Sequence, residues 1–175
     1  MENKNSTLLK STMTSGAILG VALVIYAIIL YMLNLSFNKV LGYGNYLILI
    51  GGVFFGIKVF RDQVQKGEIT FGQALGVGVL TVVFASVIVA FFTYIQLTFI
   101  DSGILAKGME IAKNQMIDKG LNDEQIEKAM SITQKFMTPL ITSIFLIFVY
   151  AFWGTIFSLI AAAFMKKEPS INPEQ

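Results

Sequence analysis

The sequence predicts an all-α integral membrane protein. Four transmembrane helices are expected, with an extramembrane helical hairpin between the third and the fourth. Hydrophobic residues make up 55% of the 175 and charged residues only 14%, against about 25% charged in a soluble domain. Four apolar runs reach the roughly 20 residues that a helix needs to cross the hydrocarbon core. One sizeable polar segment, 101–138, separates the last two of them. The bland alternative, four buried helices of a soluble core, fails on length, because 175 residues cannot cover such helices on every side.

The first run, about Met13 to Leu33, follows a polar start that carries Lys4 and Lys10. Such a start resembles that of a signal peptide. The run exceeds the roughly 7–15 residues of a signal core, so it is expected to stay as an uncleaved span. Residues 1–12 then form a short cytoplasmic segment. The second run, about Tyr43 to Phe60, is the shortest. The third, about Phe71 to Ile100, follows Gly67, a turn residue, and Thr70. Thr70 and Gln73 have the spacing of a capping box, in which each side chain bonds the other residue's backbone N–H. The fourth, Pro139 to Met165, has Thr138 as N-cap and proline at the first helical position, where no N–H is missed. Residues 13–165 are expected to form a single membrane domain that includes the hairpin, 103–137. The tail, 166–175, opens on Lys166 and Lys167, carries two prolines and is expected to be disordered.

Within the polar segment one helix is expected from Ile104 to Asp118, stopped by Lys119-Gly120. A second follows Asn122, which has capping-box spacing to Gln125. Leu105, Met109 and Met116 fall on one face of the first helix, and Ile126, Met130 and Phe136 on one face of the second. These six are the candidate partner-contact residues. The two stripes can face each other, lie on the bilayer surface, or open to a partner helix, since Met side chains adapt to varied surfaces.

Lysine and arginine near the span ends set orientation. Lys4, Lys10, Lys58, Arg61, Lys66, Lys166 and Lys167 flank the segments that would share the side of the termini, and Lys39 alone marks the first loop. The long loop has five lysines diluted by six acids. Both termini are therefore expected in the cytoplasm. The formal net charge of +2 gives no case for nucleic acid as a partner. Membrane lipid, a second copy of the chain or a membrane-protein partner remain.

There is no cysteine and no histidine. That removes thiol chemistry, thiolate or imidazole metal sites, and haem held by either residue. No phosphate loop or dinucleotide pattern occurs, so neither a cofactor, a metal nor a catalytic residue is expected and the chain reads as non-enzymatic. Small residues recur four apart at Gly16 and Gly20, Gly52 and Gly56, Gly72 and Gly76, and Gly154 and Ser158. In lipid such stripes let helix backbones approach closely, either inside one bundle or between copies. Polar side chains at depth, Thr81, Ser86, Gln96, Ser143, Tyr150, Trp153, Thr155 and Ser158 among them, either bond between helices or line a substrate path. An internal duplication is also expected, with Gly16 matching Gly72 and Gly52 matching Gly154.

Two stretches, QKGEITFGQALGVGVL (Gln65 to Leu80) and GTIFSLIAAAFMKK (Gly154 to Lys167), resemble the bacterial family called domain of unknown function 4199. The loop stretch KGLNDEQIEKAMSITQKFMTP, Lys119 to Pro139, does so too. The resemblance implies a four-span protein of the inner membrane of Bacteroidota and supplies no activity or ligand. The expected function is a non-enzymatic partner-binding protein, scaffold or regulatory subunit. A small oligomeric transporter or channel, with Tyr150, Trp153 and Gln96 on its path, is the alternative.

Overall fold

The computed structural model describes residues 4–167, with side chains from Thr7 onward. The tail beyond Lys167, expected to be disordered, lies outside the described residues. Six helices follow in order: α1 (Lys4–Met32), α2 (Lys39–Val59), α3 (Phe71–Ile95), α4 (Gly103–Asp118), α5 (Asp123–Phe136) and α6 (Pro139–Met165). Two π-helical turns, Phe60–Val64 and Gln96–Ile100, prolong α2 and α3. With them the third run is helical over the whole of 71–100, as its composition predicts. No strand occurs among the described residues; Ile69 and Lys167 form an isolated antiparallel bridge.

α1 begins at Lys4, nine residues before the expected start at Met13. The polar residues that suggested a separate segment fit the helix locally. Thr12 is fully buried, and its hydroxyl donates to the carbonyls of Leu8 and Leu9 at 2.9 and 3.0 Å. α2 likewise starts before its apolar run. The Asn38 side chain accepts from the N–H groups of Val40 and Leu41 and so replaces two of the partners that a helix start lacks. The predicted caps form. Thr70 and Gln73 exchange bonds of 3.2 and 3.4 Å, and the Ile141 N–H donates to the Thr138 hydroxyl.

Four helices, counting their π-helical turns, are long and apolar enough to cross a membrane: Thr7–Met32, Lys39–Val64, Phe71–Ile100 and Pro139–Met165. In the apolar 18-residue stretch of each, the protein itself buries only 17–44%. So much uncovered apolar surface belongs in lipid, not in the core of a water-soluble protein.

Packing divides the chain into two compact units. One takes the residues up to Val89 and from Ile147, the other Ala90–Leu146. In the first unit the close contacts give the helix directions. Gly16 lies against Thr81 and Phe84, and Gly20 against Ala85 and Ile88, so α1 and α3 run the same way. Gly52 lies against Leu19 and Gly56 against Ser15, which sets α2 antiparallel to α1. Gly154 lies against Val82 and Gly78 against Ser158, which sets α6 antiparallel to α3. The core between them holds Leu19, Leu49, Val53, Ile57, Val77, Val82 and Ala161. The start of α1, the end of α2, the start of α3 and the end of α6 thus share one end of this unit. There the backbones of Ile69 and Lys167 exchange two hydrogen bonds of 2.9 Å.

Candidate functional site

The second unit carries α4 and α5. α4 ends in a Schellman motif. Gly120, at φ +76°, donates to the Ile117 carbonyl, and Leu121 donates to the Met116 carbonyl. One residue later Asn122 opens α5 with a full capping box. Its side chain accepts from Gln125 N–H at 2.9 Å, and the Gln125 side chain accepts from Asn122 N–H at 3.1 Å. These few residues end one helix and start the next, each motif supplying the partners that backbone groups at a helix end lack.

Residues of both helices line an open groove of about 730 Å³. Met109 and Ile117 of α4 and Ile126 and Met130 of α5 supply its apolar part, and Ile126 is buried. Glu110, Asp123 and Glu127 stand around it with Lys113 as the cation. Asp123 sits in the first turn of α5, where the helix dipole favours an acid. Of the six candidate contact residues, the groove brings together Met109, Ile126 and Met130. Leu105 and Met116 are half-buried outside it, and Phe136 is 63% exposed. Ile117 joins the groove although the helical projection left it off the stripe. An apolar floor with acidic walls can hold an amphipathic segment. Ser131 also lines the groove, its hydroxyl donating to the Lys128 carbonyl of its own helix.

The small-residue positions divide. A Cβ added at Gly16 would lie 2.6 Å from Phe84 Cβ and 2.7 Å from the Thr81 carbonyl oxygen. One at Gly20 would lie 3.0 Å from Ile88 Cβ. Gly52, Gly56 and Gly154 also have a neighbour where a Cβ would be, in Leu19, Thr81 and Val82, and Ser158 is fully buried. Gly72 and Gly76 do not follow the expectation, as nothing lies within 4 Å of an added Cβ at either. The glycine of α3 at which α6 approaches is Gly78, 2.8 Å from Ser158 Cβ on the same measure. Spacing offers it too, through Ala74 four residues before, but the sequence-based expectation falls on the glycine pair Gly72 and Gly76 instead. The proposed duplication loses its main equivalence for the same reason: Gly16 is packed and Gly72 is open.

Several polar groups at depth bond back to their own helix. Ser86 donates to Val83, Thr155 to Ala151 and Ser143 to Pro139, each at 2.7 Å. Thr81 Oγ1 and Ser158 Oγ are buried with no hydrogen-bond partner. Tyr150 packs at the margin of the first unit's core. The Trp153 ring meets Tyr46 edge-on at 5.4 Å and stacks on Phe157 at 6.0 Å, so it is an aromatic packing element. Gln96 opens the π-helical turn after α3, in the other unit. Among the described residues no three Asp or Glu side chains gather in a way that could hold a metal ion.

A family described as "Protein of unknown function (DUF4199)" matches residues 14–167. The chain belongs to this family. The match runs from the first helix to the residue that pairs with Ile69, so the DUF4199 region takes in both compact units. No curated protein and no solved structure matches the chain.

Proposed function

We propose that this DUF4199 protein is a non-enzymatic subunit, scaffold or regulator of a bacterial inner membrane. It acts by binding another membrane protein through α4 and α5. The groove carries this reading. Two helices with apolar stripes, joined by a tight Schellman turn and capping box, leave Met109, Ile126 and Met130 around an open concavity. Methionine-lined grooves of this kind take helices of varied sequence.

In the proposed topology α4 and α5 form a helical hairpin outside the bilayer, on the periplasmic side, and both termini are cytoplasmic. The shared cationic end of the first unit supports that orientation through the positive-inside rule. The close approaches at Gly16, Gly20, Gly52 and Gly154 are met within the chain, which favours packing inside one copy over an interface between copies. The lack of cysteine and histidine supports the absence of catalysis.

The test is cross-linking in native membranes followed by affinity purification of the intact protein and of the Met109→Glu/Met130→Glu variant. The variant is expected to lose the cross-linked partner by tenfold or more while it inserts normally. Equal recovery from both overturns the proposal.

A further inference from the structure

The shared end of the first unit holds a second groove, of about 450 Å³, between the start of α1 and the end of α2. Its polar mouth is lined by Thr7, Lys10, Ser11 and Gln63, its apolar end by Ile18 and Phe55. Eleven residues of α1 separate Thr7 from Ile18, a rise of about 16 Å. The groove therefore changes from hydroxyl, amide and ammonium groups to bare hydrocarbon along the axis of a membrane span.

The charge around the mouth has one sign in excess. Between residues 7–18, 55–70 and 162–167 there are six cations, Lys10, Lys58, Arg61, Lys66, Lys166 and Lys167, against two acids, Asp62 and Glu68. Arg61 spends part of its charge on Asp62, at 2.7 Å. The bridge at Ile69 brings Lys167 to this same end.

We propose that this groove is a binding site for one anionic phospholipid. The phosphodiester sits at the mouth near Lys10, Ser11 and Gln63, and an acyl chain lies along Ile18 and Phe55. A cationic, hydrogen-bonding mouth complements the headgroup, and the apolar end complements a chain but no soluble anion. A zwitterionic lipid fills the same hydrocarbon part and gains less at the mouth. The site rests on the membrane setting alone and not on the α4–α5 groove, so loss of a protein partner leaves it untouched.

The experiment is native mass spectrometry of the full-length protein released from detergent. It is titrated in parallel with phosphatidylglycerol, phosphatidylcholine of the same chains, and glycerol phosphate. Phosphatidylglycerol is expected to fill one site, with occupancy at least fivefold above phosphatidylcholine, and glycerol phosphate is expected to bind negligibly. Lys10→Gln is expected to weaken phosphatidylglycerol about fivefold, the order of one juxtamembrane cation. Ile18→Trp, which fills the apolar end and leaves every charge in place, is expected to weaken both lipids. Lys39→Gln, at the opposite end of α2, is expected to change binding less than twofold. Three results would overturn the site: glycerol phosphate binding as tightly as the lipid, no effect of Ile18→Trp, or equal effects of Lys10→Gln and Lys39→Gln. The unfolding temperature of each variant separates loss of lipid from loss of fold.

Discussion

Gly16 and Gly76 show at the residue scale how the same amino acid does opposite work in one bundle. At Gly16 the neighbours are a Cβ and a backbone oxygen, which cannot swing away, so Gly16→Ala forces α1 off α3. Overpacking of this kind costs about 1–3 kcal/mol. Gly76 has open space, and there alanine only improves helix propensity, by up to about 1 kcal/mol. Thermal unfolding in detergent is expected to shift down for Gly16→Ala and to stay or rise for Gly76→Ala. A drop of equal size at both positions contradicts the assignment of close approach to Gly16. The sequence shows small residues four apart at both places, because spacing records which backbones could come close. Which of them do is decided by helix rotation, and that depends on larger side chains such as Phe84 and Val82.

At the scale of the element, most helix limits were legible because their signals are local. Thr70 with Gln73, Asn122 with Gln125, Thr138 with Pro139 and Gly120 each act within one turn. The extension of α1 back to Lys4 was not legible. A polar run reads as a boundary, whereas here Thr12 is buried and its hydroxyl bonds its own helix. The π-helical turns were equally silent, since a shift from i−4 to i−5 bonding, as in Gln65 to Phe60, needs no marker residue. The groove was half legible. The stripe residues Met109, Ile126 and Met130 were visible by periodicity, and Ile117 was not. The junction between α4 and α5 is testable by itself. Asn122→Ala is expected to cost about 1 kcal/mol through the lost cap, and Gly120→Ala about 1–2 kcal/mol through its left-handed backbone. Amide hydrogen exchange is expected to speed up in the first turn of α5 for the former and in the last turn of α4 for the latter. Unchanged protection in both contradicts the motif.

At the scale of the whole molecule, the proposed topology has four crossings and so returns the chain to the side on which it began. Reporter fusions at Asn5 and Gln175 are expected to give cytoplasmic signals, and a fusion at Asn38 a periplasmic one. A periplasmic signal at Gln175 removes the proposed orientation. The pairing of Ile69 with Lys167 has a consequence in time. These residues are 98 positions apart, so a ribosome releases Ile69 long before it reaches Lys167. Until α6 is in place, the N–H and C=O of Ile69 lack the partners that Lys167 gives them. The two bonds close only after Lys167 has been made and the end of α6 has come to lie beside the start of α3, so this bridge records that two distant stretches of chain have met.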